Sequence, residues 1–129
     1  MPVGWSYYEH AASSAANRHG VPSDMFIRLL RAENPLGDPS AVNPRSGAAG
    51  LGQFMPGTAA LMGIDPLHPG DSLNAAAMYL SRLRSEFGDW KHAVMSYNWG
   101  SGNVRKWLDS GRELRVPEET QAYLRRIAP

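Results

Sequence analysis

The 129-residue chain contains no cysteine. This excludes a disulfide framework, a thiolate zinc site and catalysis by a cysteine nucleophile, although it does not fix the compartment. Lysine is scarce as well: Lys91 and Lys106 stand among 13 cationic residues, and the others are arginines. Against 12 acidic residues they leave a net charge of +1, without the basic excess needed to hold a phosphate backbone, so nucleic acid is not an expected partner. Arginine's planar fork suits carboxylates on a partly anionic polymer, but ordinary solvation explains an arginine-rich surface equally well. No apolar run approaches the roughly 20 residues that cross a bilayer, so stable membrane insertion is not expected. Residues 1–20 also lack the basic start and apolar core of a secretory leader. If Met1 is the native start, export rests on another protein, on lysis or on assembly into a larger particle. Histidines 10, 19, 68 and 92 are widely spaced without a ligand pattern, so neither a metal nor a cofactor is expected.

What is present is enough for one compact domain: 43% of the residues are apolar. The periodicity predicts five to seven helices and little sheet. A first helix spans about residues 6–19, entered through Ser6 and left at Gly20. A second runs from about residue 23 to Glu33, with Met25, Phe26, Leu29 and Leu30 at helical spacing and Pro35 barring continuation. Residues 35–52 are rich in Gly, Pro, Ser and Asn, long for a passive connection and therefore suited to face a substrate. Short strand or hairpin pieces are compatible with that stretch. Pro56 opens a short helix closed by Gly63, and Asp71 or Ser72 caps a longer one ending at Gly88. Asp89 caps a helix ending at Gly100, Ser101 or Asn103 starts another, and the last begins near Pro117.

Three places carry candidate chemistry. Glu33 closes an apolar helix, where surroundings that raise a carboxyl pKa would suit it to protonate an acetal oxygen; a helix-end salt bridge is the bland alternative. The segment Gly47-Ala48-Ala49-Gly50-Leu51-Gly52-Gln53-Phe54-Met55-Pro56 allows close backbone approach, and Gln53 has both an acceptor and donors for a sugar amide or hydroxyl. It is not a phosphate loop, and an ordinary turn before a helix is its alternative. Ser96-Tyr97-Asn98-Trp99-Gly100 joins a carboxamide to two aromatic rings, a plausible wall for a carbohydrate, although Tyr97 as core and Trp99 as surface aromatic fit the composition equally well.

Taken in order, these segments closely resemble the soluble bacterial type of lytic transglycosylase domain, related to goose-type lysozymes. The resemblance spans about residues 21–127: Glu33, Ala41-Val42-Asn43-Pro44, the segment from Gly47 to Ala59, Asn74, Tyr79-Leu80, Tyr97-Asn98-Trp99-Gly100 and Glu119-Thr120-Gln121-Ala122-Tyr123-Leu124. It implies a lysozyme-like, predominantly α-helical fold of the α+β class with little or no sheet. A single domain 1–129 with a substrate cleft is expected, the N-terminal helix of residues 1–20 belonging with a core over 21–129. Two settings fit: a bacteriophage lysis enzyme or virion component, and an excised domain of a larger bacterial enzyme.

The implied substrate and partner is peptidoglycan in the periplasm or cell wall, with phage-particle or wall-spanning assembly proteins as further partners and a monomer as the expected state. Glu33 is the implied acid/base residue, acting between N-acetylmuramic acid and N-acetylglucosamine to leave a 1,6-anhydromuramic end. Gln53 and Asn98 are implied glycan binders, Tyr97 shapes the cleft, and Tyr123 packs near the catalytic carboxyl. Phe54 and Met55 are implied cleft-floor or packing residues, and Trp99 and Asn34 complete the expected substrate-binding set. Glu119 is expected to be structural. Two departures from the family pattern stand out: Asn34 replaces the serine after the glutamate, and Asn43 replaces the serine before Pro44, in a segment one residue longer than usual. Two alternatives accompany this reading. One is a lysozyme-like hydrolase with water as acceptor, to which Asp38 could contribute a second carboxylate although a surface role is expected for it. The other is an inactive peptidoglycan-binding or assembly domain.

Overall fold

The computed structural model describes residues 4–128. Met1, on which the reading of export rests, lies outside the described residues together with Pro2, Val3 and Pro129. Among the described residues there are seven helices: α1 (Trp5–Arg18), α2 (Ser23–Glu33), α3 (Pro56–Met62), α4 (Pro69–Phe87), α5 (Trp90–Trp99), α6 (Ser101–Asp109) and α7 (Glu118–Ile127). No helix is long and apolar enough to cross a membrane. The backbone contacts divide the chain after Met78 into two compact units, and α4 contributes residues to both.

In the first unit, α2 buries the stripe Met25, Phe26, Leu29 and Leu30. Full burial of such side chains is worth about 1.5–3 kcal/mol each, so this stripe fixes the helix and, with it, the position of Glu33 at its end. The alanine-rich face of α1 buries Ala12, Ala15 and Ala16, small residues that permit close approach. The two helices are stitched by a hydrogen bond between the hydroxyls of Ser13 and Ser23 (2.7 Å) and by an ion pair between Glu9 and Arg31.

Two helix starts differ from the sequence expectation. Ser6 does not cap α1, which begins at Trp5 after Gly4; Trp5 is buried, and its indole N–H donates to the Asn34 carbonyl at 2.6 Å. That buried anchor holds the first turn one residue earlier than the cap signal suggested. Likewise α4 starts at Pro69, before Asp71 or Ser72, because proline is preformed for a first helical position and Ser72 N–H already bonds the His68 carbonyl at 2.9 Å. The Ser72 hydroxyl, fully buried, instead accepts the Gly52 N–H at 2.9 Å.

The stretch between α2 and α3 folds back on itself through isolated bridges, Val42 to Ala49 and Ala49 to Phe54. Ala49 and Phe54 exchange both backbone hydrogen bonds (2.9 and 3.0 Å), which closes a tight turn over Gly50-Leu51-Gly52-Gln53. Leu51 at the tip is fully buried and anchors the turn. Gly50 is obligatory: its φ is +79°, and a Cβ there would stand 1.7 Å from the Pro66 carbonyl oxygen.

The second unit holds the end of α4 with α5, α6 and α7, burying Leu80, Leu83, Val94, Val104, Tyr123 and Ile127. Asp89 caps α5 as expected, its carboxylate accepting the His92 N–H at 2.7 Å. The first turn of α7 carries Glu118 and Glu119 and its last turn Arg125 and Arg126, an arrangement matched to the helix dipole.

Candidate functional site

Where α2 ends, the first unit opens into a cavity of about 350 Å3 lined by Glu33, Asn34, Asp38, Val42, Asn43 and Gln53, with Pro35, Leu36, Ala41 and Pro44 completing its wall. It brings together the carboxyl candidate, the carboxamide candidate and the acidic residue of the intervening loop. Leu36 and Val42 are 77% and 54% exposed, giving the rim apolar surface of the kind that meets the C–H face of a sugar ring.

Asn34 is the structural centre of this cavity. Its backbone N–H closes α2 on the Leu30 carbonyl (2.8 Å), and its carbonyl accepts from Trp5 and from the Gly37 N–H (3.1 Å). Asn34 is 3% exposed, and the three hydrogen bonds of its side chain all go to backbone. Nδ2 donates to the Asp38 carbonyl (2.8 Å) and the Gly50 carbonyl (3.0 Å), while Oδ1 accepts the Asp38 N–H (3.1 Å). Serine offers a single donor and cannot meet both carbonyls, which gives the departure at this position a physical reason. Asn43, the other departure, uses its Oδ1 to accept the Arg45 and Ser46 N–H groups (2.9 and 3.3 Å), folding the turn that leads to Gly47.

Gln53 stands in the left-handed region, φ +52°, unusual for a residue other than glycine. The twist folds its side chain back over the turn, where Nε2 donates to the Gly50 carbonyl (3.0 Å) and, more weakly, to the Ala41 carbonyl (3.4 Å). Both N–H bonds are thus engaged. Of the donor and acceptor expected of this residue, the acceptor Oε1 is the end left to offer a ligand. Phe54 beside it is 3% exposed and belongs to the core, whereas Met55 is 47% exposed.

Asp38 reaches the cavity as a carboxylate. Hydrogen bonds from the Ser40 hydroxyl (2.8 Å) and backbone N–H (3.0 Å) hold its carboxyl below the usual range, outweighing a small opposing effect of burial. Among the described residues no three His, Cys, Asp or Glu side chains are grouped to hold a metal ion.

Tyr97, Asn98, Trp99 and Tyr123 belong to the second unit. Asn98 Oδ1 accepts from the buried hydroxyl of Thr120 at 2.7 Å, which directs its carboxamide so that the N–H2 end is the one on offer. The half-buried ring of Tyr97 packs on Tyr79 with centroids 5.6 Å apart, and Tyr123 is buried. This unit also contains a larger cavity, about 490 Å3, edged by Lys91, His92, Trp107, Arg112 and Arg115, and none of the expected site residues lines it. Trp5, Ser72 and Thr120 were not singled out from the sequence for the parts they play; the only hint was Thr120 lying inside a motif.

A family model described as the transglycosylase SLT domain matches residues 10–116. Solved structures agree. An inactive mutant of the lytic transglycosylase Slt from Pseudomonas aeruginosa is 26% identical with a TM-score of 0.75, over 92% of this chain and 22% of that one. The 70 kDa soluble lytic transglycosylase of Escherichia coli is 27% identical with a TM-score of 0.76, over 93% of this chain and 22% of that one. A complex of the 70 kDa soluble lytic transglycosylase with bulgecin A gives 27% identity and a TM-score of 0.77 over the same shares. The mostly helical chain has the lysozyme-like fold of these enzymes and spans about a fifth of their length.

Proposed function

Since the chain belongs to the transglycosylase SLT domain family, we propose that it cleaves the β-1,4 bond between N-acetylmuramic acid and N-acetylglucosamine in peptidoglycan, with Glu33 as acid/base. The observation that carries this reading is the cavity at the end of α2, where Glu33 shares a wall with Gln53 beneath an apolar rim. Glu33 donates its proton to the glycosidic oxygen, so that the leaving sugar departs as an alcohol rather than an alkoxide. The acetamido oxygen of the muramic residue assists departure at its own anomeric carbon, so no protein nucleophile is required. The Glu33 carboxylate then takes the proton of the muramic 6-hydroxyl as that oxygen closes on the anomeric carbon and displaces the acetamido oxygen from it, giving a 1,6-anhydro end and restoring the acid.

The other residues bind. Gln53 offers its Oε1 as an acceptor, Asn98 its N–H2 as a donor, and Met55, Tyr97 and Trp99 offer apolar and aromatic surface for sugar rings. Tyr123 acts as a packing residue. The whole chain works as one catalytic domain.

A second reading is hydrolysis, favoured by one observation: Asp38 lines the same cavity as Glu33, so a second carboxyl group stands where an activated water would be needed. Mass spectrometry of soluble products from purified sacculi separates the two. Anhydromuropeptides from the wild type, absent with Glu33→Gln, support transglycosylation. Reducing muramic ends support hydrolysis, and undiminished products from Glu33→Gln remove Glu33 from its role.

A further inference from the structure

The carbonyl oxygen of Gly50 is shared by three donors: Asn34 Nδ2 at 3.0 Å, Gln53 Nε2 at 3.0 Å and the Gln53 backbone N–H at 3.2 Å. It therefore joins the residue that follows Glu33 directly to the carboxamide that faces the cavity. The Gly50 N–H adds a bond to the Ala41 carbonyl (2.9 Å), the second oxygen against which Gln53 Nε2 rests. Two carbonyl oxygens can be met only by the N–H side of an amide, so the network dictates which way the Gln53 side chain is turned as well as where it lies.

We infer that Asn34 is a positioning residue for substrate binding: through the Gly50 carbonyl it locks the Gln53 carboxamide in one orientation, leaving Oε1 to accept a hydrogen bond from a glycan hydroxyl or acetamido N–H. This inference rests on the proposed function, in which Gln53 touches the glycan, and it assigns Asn34 itself no contact with substrate. The chemistry of the side chain supports it. A carboxamide supplies two donors and an acceptor, and Asn34 spends them on the Asp38 carbonyl, the Gly50 carbonyl and the Asp38 N–H. One buried group thus ends the helix carrying Glu33, folds the loop through Asp38 and sets the Gly50-Gln53 turn. Gln53 pays for its left-handed backbone with this network, since such a conformation persists only where surrounding bonds over-determine it. Preorganisation of this kind raises affinity by removing the cost of ordering a flexible side chain when the sugar arrives.

The test is a double-mutant cycle on sacculus binding, made in the Glu33→Gln background so that substrate is not consumed. Asn34→Ala and Gln53→Ala each lower affinity about tenfold, the size expected for one well-formed hydrogen bond, and the double variant binds no more weakly than Gln53→Ala alone. Independent, multiplying losses would overturn the inference, as would unchanged binding by folded Asn34→Ala. Should Asn34→Ala fail to fold, Asn34→Ser takes its place, and because it keeps one donor its loss is intermediate. A second readout needs no variant: the Gln53 side-chain amide protons exchange at least about tenfold more slowly than those of exposed Gln121, which make a single bond to the Val116 carbonyl. Equal exchange would mean that Gln53 is not locked. Absence of sacculus binding by the parent, together with absence of wild-type products, removes the proposed function and this inference together; binding by the parent with no coupling removes the inference alone.

Discussion

The Thr120 hydroxyl donates to Asn98 Oδ1 at 2.7 Å, so a buried residue of α7 decides which end of a carboxamide on α5 is available to a ligand. An asparagine without that bond would sample both orientations, and half of its encounters with a sugar acceptor would present oxygen to oxygen. Thr120→Val preserves shape and removes the donor. It is expected to weaken sacculus binding about three- to tenfold, the worth of one oriented hydrogen bond, while Thr120→Ser restores most of the affinity. Pelleting assays on the two variants check this, and an unaffected Thr120→Val protein would show that Asn98 needs no such guide.

Gly50→Ala should be among the most damaging single changes in the chain. The added methyl meets the Pro66 carbonyl oxygen at 1.7 Å, and the residue must still hold φ +79°. Backbone displacement and left-handed strain together cost about 3–5 kcal/mol, a large share of a typical domain's stability. Urea unfolding followed by circular dichroism measures the loss, and a midpoint close to wild type would contradict the packing described for this turn.

Trp5→Phe tests the link between α1 and the end of α2. The ring stays apolar, but the indole bond to the Asn34 carbonyl is lost from a buried site, and a small void replaces part of the indole. The expected destabilisation is about 1–3 kcal/mol, smaller than for Gly50→Ala because the Gly37 N–H still serves the same carbonyl. Thermal melts of the two variants side by side rank these losses.

Tyr79 provides a pH signature. Burial first, and the negative charge of Glu86 second, push its phenol above the ordinary value of 10.0. A folded pKa above the unfolded one means that the native state keeps a proton the unfolded chain has released. The associated stability is complete below the unfolded value and is lost as pH rises through the folded one. Tyr79→Phe should therefore flatten the alkaline fall in stability, and Glu86→Gln should lower the tyrosinate midpoint only in part, because burial remains. Ultraviolet titration of the three proteins follows both effects; an unmoved midpoint in Glu86→Gln would remove the charge contribution.

Helix α2 was legible because local signals agree. Pro22 and Pro35 bracket an apolar stripe of helical period, and the observed bounds Ser23–Glu33 match the expected ones. Gly63 at φ +68° and Asp89 at the start of α5 were legible for the same reason, since caps act over three or four residues. Ser6 and Ser72 show the limit of such signals. Each looked like a cap, but a buried Trp5 and a bond to Gly52, 20 residues away, took precedence.

The amino-acid sequence by itself determined the helical stripes, their caps, the placement of Glu33 at a helix end and the family to which the motifs point. Only the tertiary structure decided that Asn34 is spent on backbone, that Gln53 keeps its acceptor and not its donors, and that Asn98 is turned by Thr120. The division has a physical cause. Helix periodicity and capping depend on neighbours within one turn, whereas the polarity of a side-chain amide in a folded site depends also on carbonyls and hydroxyls brought to it from 12, 16 or 22 residues away, and no local pattern records which will arrive.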